Sequence, residues 1–467
     1  MTGTSETTPN SKTEAQLYAG TATADITPAD PVPLAGFAVR LEPWEKVRAP
    51  LSAQVFAFGD AAGTCTALLV CADLLWWGPD TVADLTRRIE AEHGVPAGSV
   101  VLHASHTHCA PQPGLTFSPL LGRGDPAYVA RLTDTVLAAV GEALTDMEPV
   151  YAERGTGSCG FGINRRRANP DGTFGGPDPD GTNDPEVGVI RLARPDGSTR
   201  AVLVHYTCHP VVSADPQVSP DYPGATRSAL EHTVGEGVPI GFLQGCCGDI
   251  NPNVVRDGEF HRGGDEEIEA IGRQLAAAVE DVLDRPLRRL PPLPPGGVAV
   301  RAHTVNLPLQ PPSRDDLARR REAPGIVGDW ARRLLAEPGR LVDQVPLRLT
   351  RADLADGLTL LGLDAEVSVA YGHHVKRRTS GAALPIPYTN GMIGYVVTAA
   401  QLREGGYEPD QSYPYVYRAG RFAPAVQEHV LTALDEVLGH VPEVPQVLEA
   451  PGVPDRPGPS TRIGDQR

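Results

Sequence analysis

Lysine is nearly missing from this chain: Lys12, Lys46 and Lys376 are its full complement, in a set of 41 Lys plus Arg among 467 residues. Acidic residues number 58, which sets the formal charge at −17. A field of that sign repels phosphate backbones and anionic headgroups, and no basic run offsets it locally. The expectation is therefore no nucleic-acid partner and no stable membrane association. Uninterrupted apolar stretches approaching about 18 residues are lacking, as is a basic segment followed by an apolar one near Met1. The sequence thus predicts neither a membrane span nor a secretion leader, and points to the cytoplasm. Seven cysteines (Cys65, Cys71, Cys109, Cys159, Cys208, Cys246, Cys247) form an odd set without repeated CxxC spacing, which argues against a disulfide framework and against a thiolate metal site.

What is present is a mixture of strand and helix signals. Residues 52–58 and 64–73 are apolar and β-prone, joined by Asp60 to Gly63 as a hairpin; 187–193 and 199–206 repeat the pattern around Pro195-Asp196-Gly197. Helical periodicity marks 81–92, 127–144, 264–283 and 422–438. The fold class expected is α/β, with mixed β-sheets flanked by α-helices in a single large domain over 17–442. Residues 1–16 and 443–467 are expected to be flexible tails. The Pro-rich stretch 285–296 would ordinarily separate domains, but candidate ligands lie on both sides of it, so it reads as a surface crossing within one domain. The charged stretch 311–345 is a solvated helical face or an interface, and the oligomeric state is not legible.

Three segments can carry chemistry. An apolar strand runs into His106-Thr107-His108; in an extended backbone residues two apart face one side, so both imidazoles can converge. Taken alone, the pair reads equally as two metal ligands or as two hydrogen-bonded histidines. His103 reads as structural. His209 ends the strand 199–206 in front of Pro210, again as a ligand or a core histidine. Gly245 to Asn253 is a glycine-flanked turn in which Asp249, Asn251 and Asn253 orient a ligand or merely close an Asx-rich loop.

Together with Asn164-Arg165 and the segment Gly394-Tyr395-Val-Val-Thr through Gly405-Gly406-Tyr407-Glu408, these motifs resemble the neutral/alkaline ceramidases, in family order from Ala19 to about Leu438. The resemblance implies a zinc amidase with Zn²⁺ held by His106, His209, Glu366 and Tyr395. It implies catalytic roles for His108, Tyr407 and Arg165, and substrate contacts from Asn251, Asp249 and Asn164. Family members carry serine where this chain has Asn251, and the family's secretion signal and C-terminal β-sandwich are expected to be lacking. Those departures point away from a bilayer lipid toward a soluble small-molecule substrate. The reaction expected is hydrolysis of an amide C–N bond by metal-bound hydroxide, since Asn251 cannot be a nucleophile. Two other readings of the same site are zinc-dependent acyl transfer or cyclisation, and a catalytically silent binding protein. Cys109, Cys208, Cys246 and Cys247 flank the site, and they read as apolar filler rather than as nucleophiles.

Overall fold

Alternation along the strands decides the layering. On Ser52–Gly59, Val55 and Ala57 pack into one hydrophobic cluster, Phe56 and Phe58 into another; Leu68 and Val70 divide from Leu69, and Val202 and Val204 from Leu203, in the same way. Side chains two apart share a face, so strands apolar at every position need cover on both sides. The computed structural model, which describes residues 17–439 apart from 39, 61, 62 and 295, shows that cover. Helices Pro79–His93, Pro126–Thr145, Asp221–Val234 and Asp265–Leu283 bury their stripes against one face. A second sheet meets the other face through Leu358, Leu360, Leu384 and Ile386. Its far side, with Leu361 and Leu363, is closed by helices Val369–Arg378 and Val426–Leu438. The result is an α/β fold of mixed sheets between helical layers, in one domain. The tails expected at 1–16 and 443–467, and residues 440–442, lie outside the described residues.

The first sheet has nine strands. From one edge they run Ile240–Gln244, Thr199–Tyr206, Glu186–Ala193, Glu148–Ser158, Leu17–Asp25, Ser52–Gly59, Cys65–Ala72 and Val100–Ala104, with Arg288–Arg289 pairing to the side of Glu148–Ser158. Both expected hairpins are there as antiparallel pairs. The two outermost pairs are parallel, each with a crossover containing a helix. The edges also meet: the backbone N–H of Gln244 on one edge strand donates to His103 Nε2 on the other at 2.8 Å. His103 is fully buried, and burial together with His205 holds its pKa down to about 3, which keeps that nitrogen an acceptor. Curling of the sheet brings the loops that follow its two edges to one place.

The second sheet orders Ala383–Ile386, Leu358–Leu363, Gln344–Ala355, Ala299–Gln310 and Arg421–Phe422. The helix expected over 422–438 begins later, at Val426. Phe422 is buried and pairs with Leu309 as strand, and Pro424 pushes Ala423 toward extended geometry. The crossing 285–296 is stitched to the sheet, with Leu290 N–H donating to Ala152 O at 2.9 Å.

Candidate metal centre

The chain leaves strand Val100–Ala104 and turns sharply: His106 adopts a left-handed φ of 69° while its N–H donates to Leu74 O at 2.9 Å. Convergence of His106 and His108 therefore comes from this turn and not from the β alternation expected of the motif. The ring of His106 stacks on Tyr388 at 4.0 Å, and its Nδ1 lies 2.7 Å from Leu75 O. His209 follows strand Thr199–Tyr206, with its N–H and Nδ1 both directed at Ile250 O, at 3.0 and 3.1 Å. Glu366 starts a two-residue parallel pairing in which its cross-strand partner is Tyr395. His106, His209 and Glu366 are all buried.

The donor atoms of these residues meet. Glu366 Oε1 lies 3.3 Å from His106 Nε2 and 2.7 Å from His209 Nε2, and His108 Nε2 lies 3.3 Å from His106 Nε2. The ligand atoms of all three histidines fall within 4.8 Å of one another. Donors bonded at about 2.0–2.1 Å around a tetrahedral ion are separated by about 3.3 Å, which matches His106 Nε2 and Glu366 Oε1, while His209 Nε2 stands closer to the carboxylate, at 2.7 Å. Proton counting points the same way. Burial, with Arg165 nearby, lowers the His209 pKa to about 4 against the pull of Glu366, so at neutral pH the ring has one N–H. With that proton on Nδ1 toward Ile250 O, the Nε2 lone pair faces a carboxylate oxygen, and a cation between them reconciles the two. The residues present fit a divalent metal.

Around this centre Arg165 organises the oxygens. Its Nε donates to Glu408 Oε1 at 2.9 Å, Nη1 to Asn251 Oδ1 at 3.3 Å and Nη2 to the Tyr395 hydroxyl at 2.9 Å. Arg166 holds the other Glu408 oxygen. The Glu366 carboxylate also hydrogen-bonds Tyr395, and Tyr407 stands edge-on to the Tyr395 ring at 5.7 Å. Tyr407 is 42% exposed, in contrast to its buried neighbours. A narrow inner cavity, lined by His106, His108, Glu366, Tyr395, Tyr407 and the apolar Leu75, Trp76, Leu121 and Val416, reaches the centre. It continues into an outer groove of about 1100 Å³, in part open to solvent, past Arg165, Asn251, Phe37 and Arg262. His108 forms the shared wall. Its ring packs on Gly36, where a Cβ would sit 2.4 Å from Nδ1 and where φ is +98°, so a side chain there would displace the imidazole.

Two residues expected as substrate contacts have their polar groups engaged by other parts of the chain. Asp249 is buried, with Oδ1 accepting from Val369 N–H and Oδ2 from Gln401 Nε2, both at 2.8 Å, and it does not line the cavity. Asn164 is likewise turned inward, donating to Thr182 O and accepting from Arg166 N–H. Both polar ends are used up within the loops that shape the site. The four flanking cysteines are buried and unpaired, and burial pushes their thiols up, Cys109 to about 11. Sequence reasoning gave no role to Glu408, although it follows Tyr407 in a quoted motif, nor to Tyr388 and Arg262, which no motif marks.

Compared with solved structures, the chain superposes on neutral ceramidase from Pseudomonas aeruginosa with a TM-score of 0.68, over 94% of this chain and 77% of that one, at 17% identity. This is the neutral ceramidase fold. A ceramidase complexed with C2 matches equally, with a TM-score of 0.68 at 17% identity over 95% of this chain and 78% of that one. No protein-family model and no curated protein matches the sequence. Within the ceramidase fold, among the described residues, no helix is long and apolar enough to cross a membrane.

Proposed function

We propose that this chain is a zinc-dependent hydrolase of an amide, or amide-like C–N bond, in a small-molecule substrate. The observation that carries the reading is the meeting of His106 Nε2, His209 Nε2 and Glu366 Oε1, with the far nitrogen of each ring held against a backbone carbonyl. These atoms, with the Tyr395 hydroxyl, would hold the ion, and N and O donors of this kind suit Zn²⁺. Zinc bound there supplies Lewis acidity and lowers the pKa of a coordinated water to about 7. The ceramidases that share the fold support an amide as the bond attacked.

The remaining work belongs to side chains. Tyr407, free on the cavity wall, donates to the oxygen that gains charge, a contribution of roughly 2.7–4 kcal/mol for a well-placed donor. Arg165 fixes the Tyr395 hydroxyl and places a positive charge beside the same oxygen, its own position set by Glu408 and Asn251. His108, on the cavity wall beside the centre, carries a proton to the leaving amine. The apolar wall of the inner cavity suits an acyl portion. Seven free thiols among the described residues go with a reducing compartment, the cytoplasm.

Elemental analysis of the purified protein is expected to give one zinc per chain. A chelator should abolish turnover of N-acyl amides, with zinc restoring it, and turnover in H₂¹⁸O should place one ¹⁸O in the product acid. Full activity in the metal-free protein would refute the reading. Product acid without ¹⁸O, accompanied by a new acyl–amine bond, would replace hydrolysis with transfer.

A further inference from the structure

The molecule carries a net charge of −17, yet the groove leading to the histidines is locally positive. Its wall shows Arg165, Arg262 and a single carboxylate, Glu408. Glu408 is already claimed by Arg165 and Arg166. Arg262 is exposed, and among the described residues it makes no ion pair. One end is pinned, Nη1 donating to Val211 O at 2.6 Å, and the guanidinium lies over Phe37 with Cζ 4.8 Å from the ring centroid. The same ring stands 4.9 Å from the imidazole of His108. One aromatic side chain therefore separates the uncommitted cation from the residue assigned to the leaving group.

The platform beneath Arg262 is braced. The hairpin Val255–Arg256 and Glu259–Phe260 turns through Asp257 and Gly258, both left-handed. Arg167 ties it to the loop after Asn164, donating to Glu259 Oε1 at 2.7 Å and to Gly258 O at 2.8 Å. On its far side Gly263 N–H donates to Val212 O at 2.7 Å. A planar guanidinium held at one nitrogen over an aromatic face keeps its other donors in a fixed fork, the geometry that recognises carboxylate or phosphate. A positive groove with low-dielectric aromatic walls also concentrates anions from solution.

We propose that the substrate carries an oxyanion, carboxylate or phosphate, a few bonds from the scissile amide, and that Arg262 recognises it. The inference rests on the amide-hydrolase reading above. Binding is measured by calorimetry on zinc-loaded His108→Ala protein, in which turnover is slowed, and kcat/KM on the native enzyme. The ligands are N-octanoylglycine, N-octanoylethanolamine and the phosphate ester of the latter. At least one anionic ligand is expected to bind tenfold or more tightly than the uncharged one, and whichever anion leads identifies the headgroup. Arg262→Gln should bring the anions down to the level of the neutral ligand while leaving the neutral ligand unchanged, and Arg262→Glu should push them below it. Equal binding of all three ligands to the unsubstituted groove would overturn the proposal, as would Arg262→Gln weakening neutral and anionic ligands alike. Hydrolysis without charge preference would keep the reaction and remove the anion site. Charge-selective binding without any hydrolysis would do the reverse.

Discussion

A neutral imidazole has one proton to give, and that separates the three histidines of the centre. His106 and His209 direct Nδ1 at Leu75 O and Ile250 O, the arrangement by which metal-binding histidines are usually oriented. His108 has Nδ1 buried without a hydrogen-bond partner among the described residues. Alanine at His106 or His209 is therefore expected to drop zinc content well below one per chain. His108→Ala should keep the ion and lower kcat by about 10²–10⁴, the range of a general acid–base group. Equal loss of zinc from all three variants would move His108 into the ligand set. At this scale the sequence was partly legible. His106, His209, Glu366 and Tyr395 could be picked out by family motif, and their donor atoms lie together. Arg262 and Tyr388 were not legible, because each faces the site through packing against a ring from a distant segment, which leaves no local pattern.

Between elements, Asp249 links three segments of the site. Its backbone oxygen accepts from Arg165 N–H at 2.9 Å, and its carboxylate accepts from the first residue of helix Val369–Arg378 and from Gln401. Alanine there would strand a buried N–H and a buried amide, a cost of about 1–3 kcal/mol for each unsatisfied group. The expected result is a Tm several degrees lower with zinc content unchanged, read by calorimetry and metal analysis. Loss of zinc with no change in Tm would assign Asp249 to the centre itself. The hairpins 52–58 with 64–73 and 187–193 with 199–206 were readable because turn residues interrupt apolar runs. Helix Asp221–Val234 was not anticipated: its residues from Asp221 to Thr226 are buried all round, so no polar stripe reports the period.

On the scale of the whole molecule, the nine-stranded sheet brings its own edges together at His103 and Gln244. Replacing His103 by Leu leaves the Gln244 N–H unpaired, an expected loss of about 1–3 kcal/mol at pH 7. The pH dependence has a definite sign. The folded-state pKa is about 3 against 6.5 for the free group, so between those values the unfolded chain takes up a proton that the native state refuses. Stability from this residue is present above pH 6.5 and falls on acidification toward pH 3. The advantage of the native protein over His103→Leu should narrow across that window in denaturant titrations; a gap independent of pH would mean that His103 is not held neutral. The net charge of −17 is legible from composition, whereas the positive groove depends on where a few arginines fall once the chain is folded.

His106 follows one edge strand of the sheet and His209 the strand next to the opposite edge, so an ion bound to both would act as a clasp across the seam. Its affinity then becomes part of the tertiary stability by mass action, and melting temperature should climb with the logarithm of free zinc. On the zinc reading proposed above, a cell short of the metal would have not merely an idle protein but a looser one.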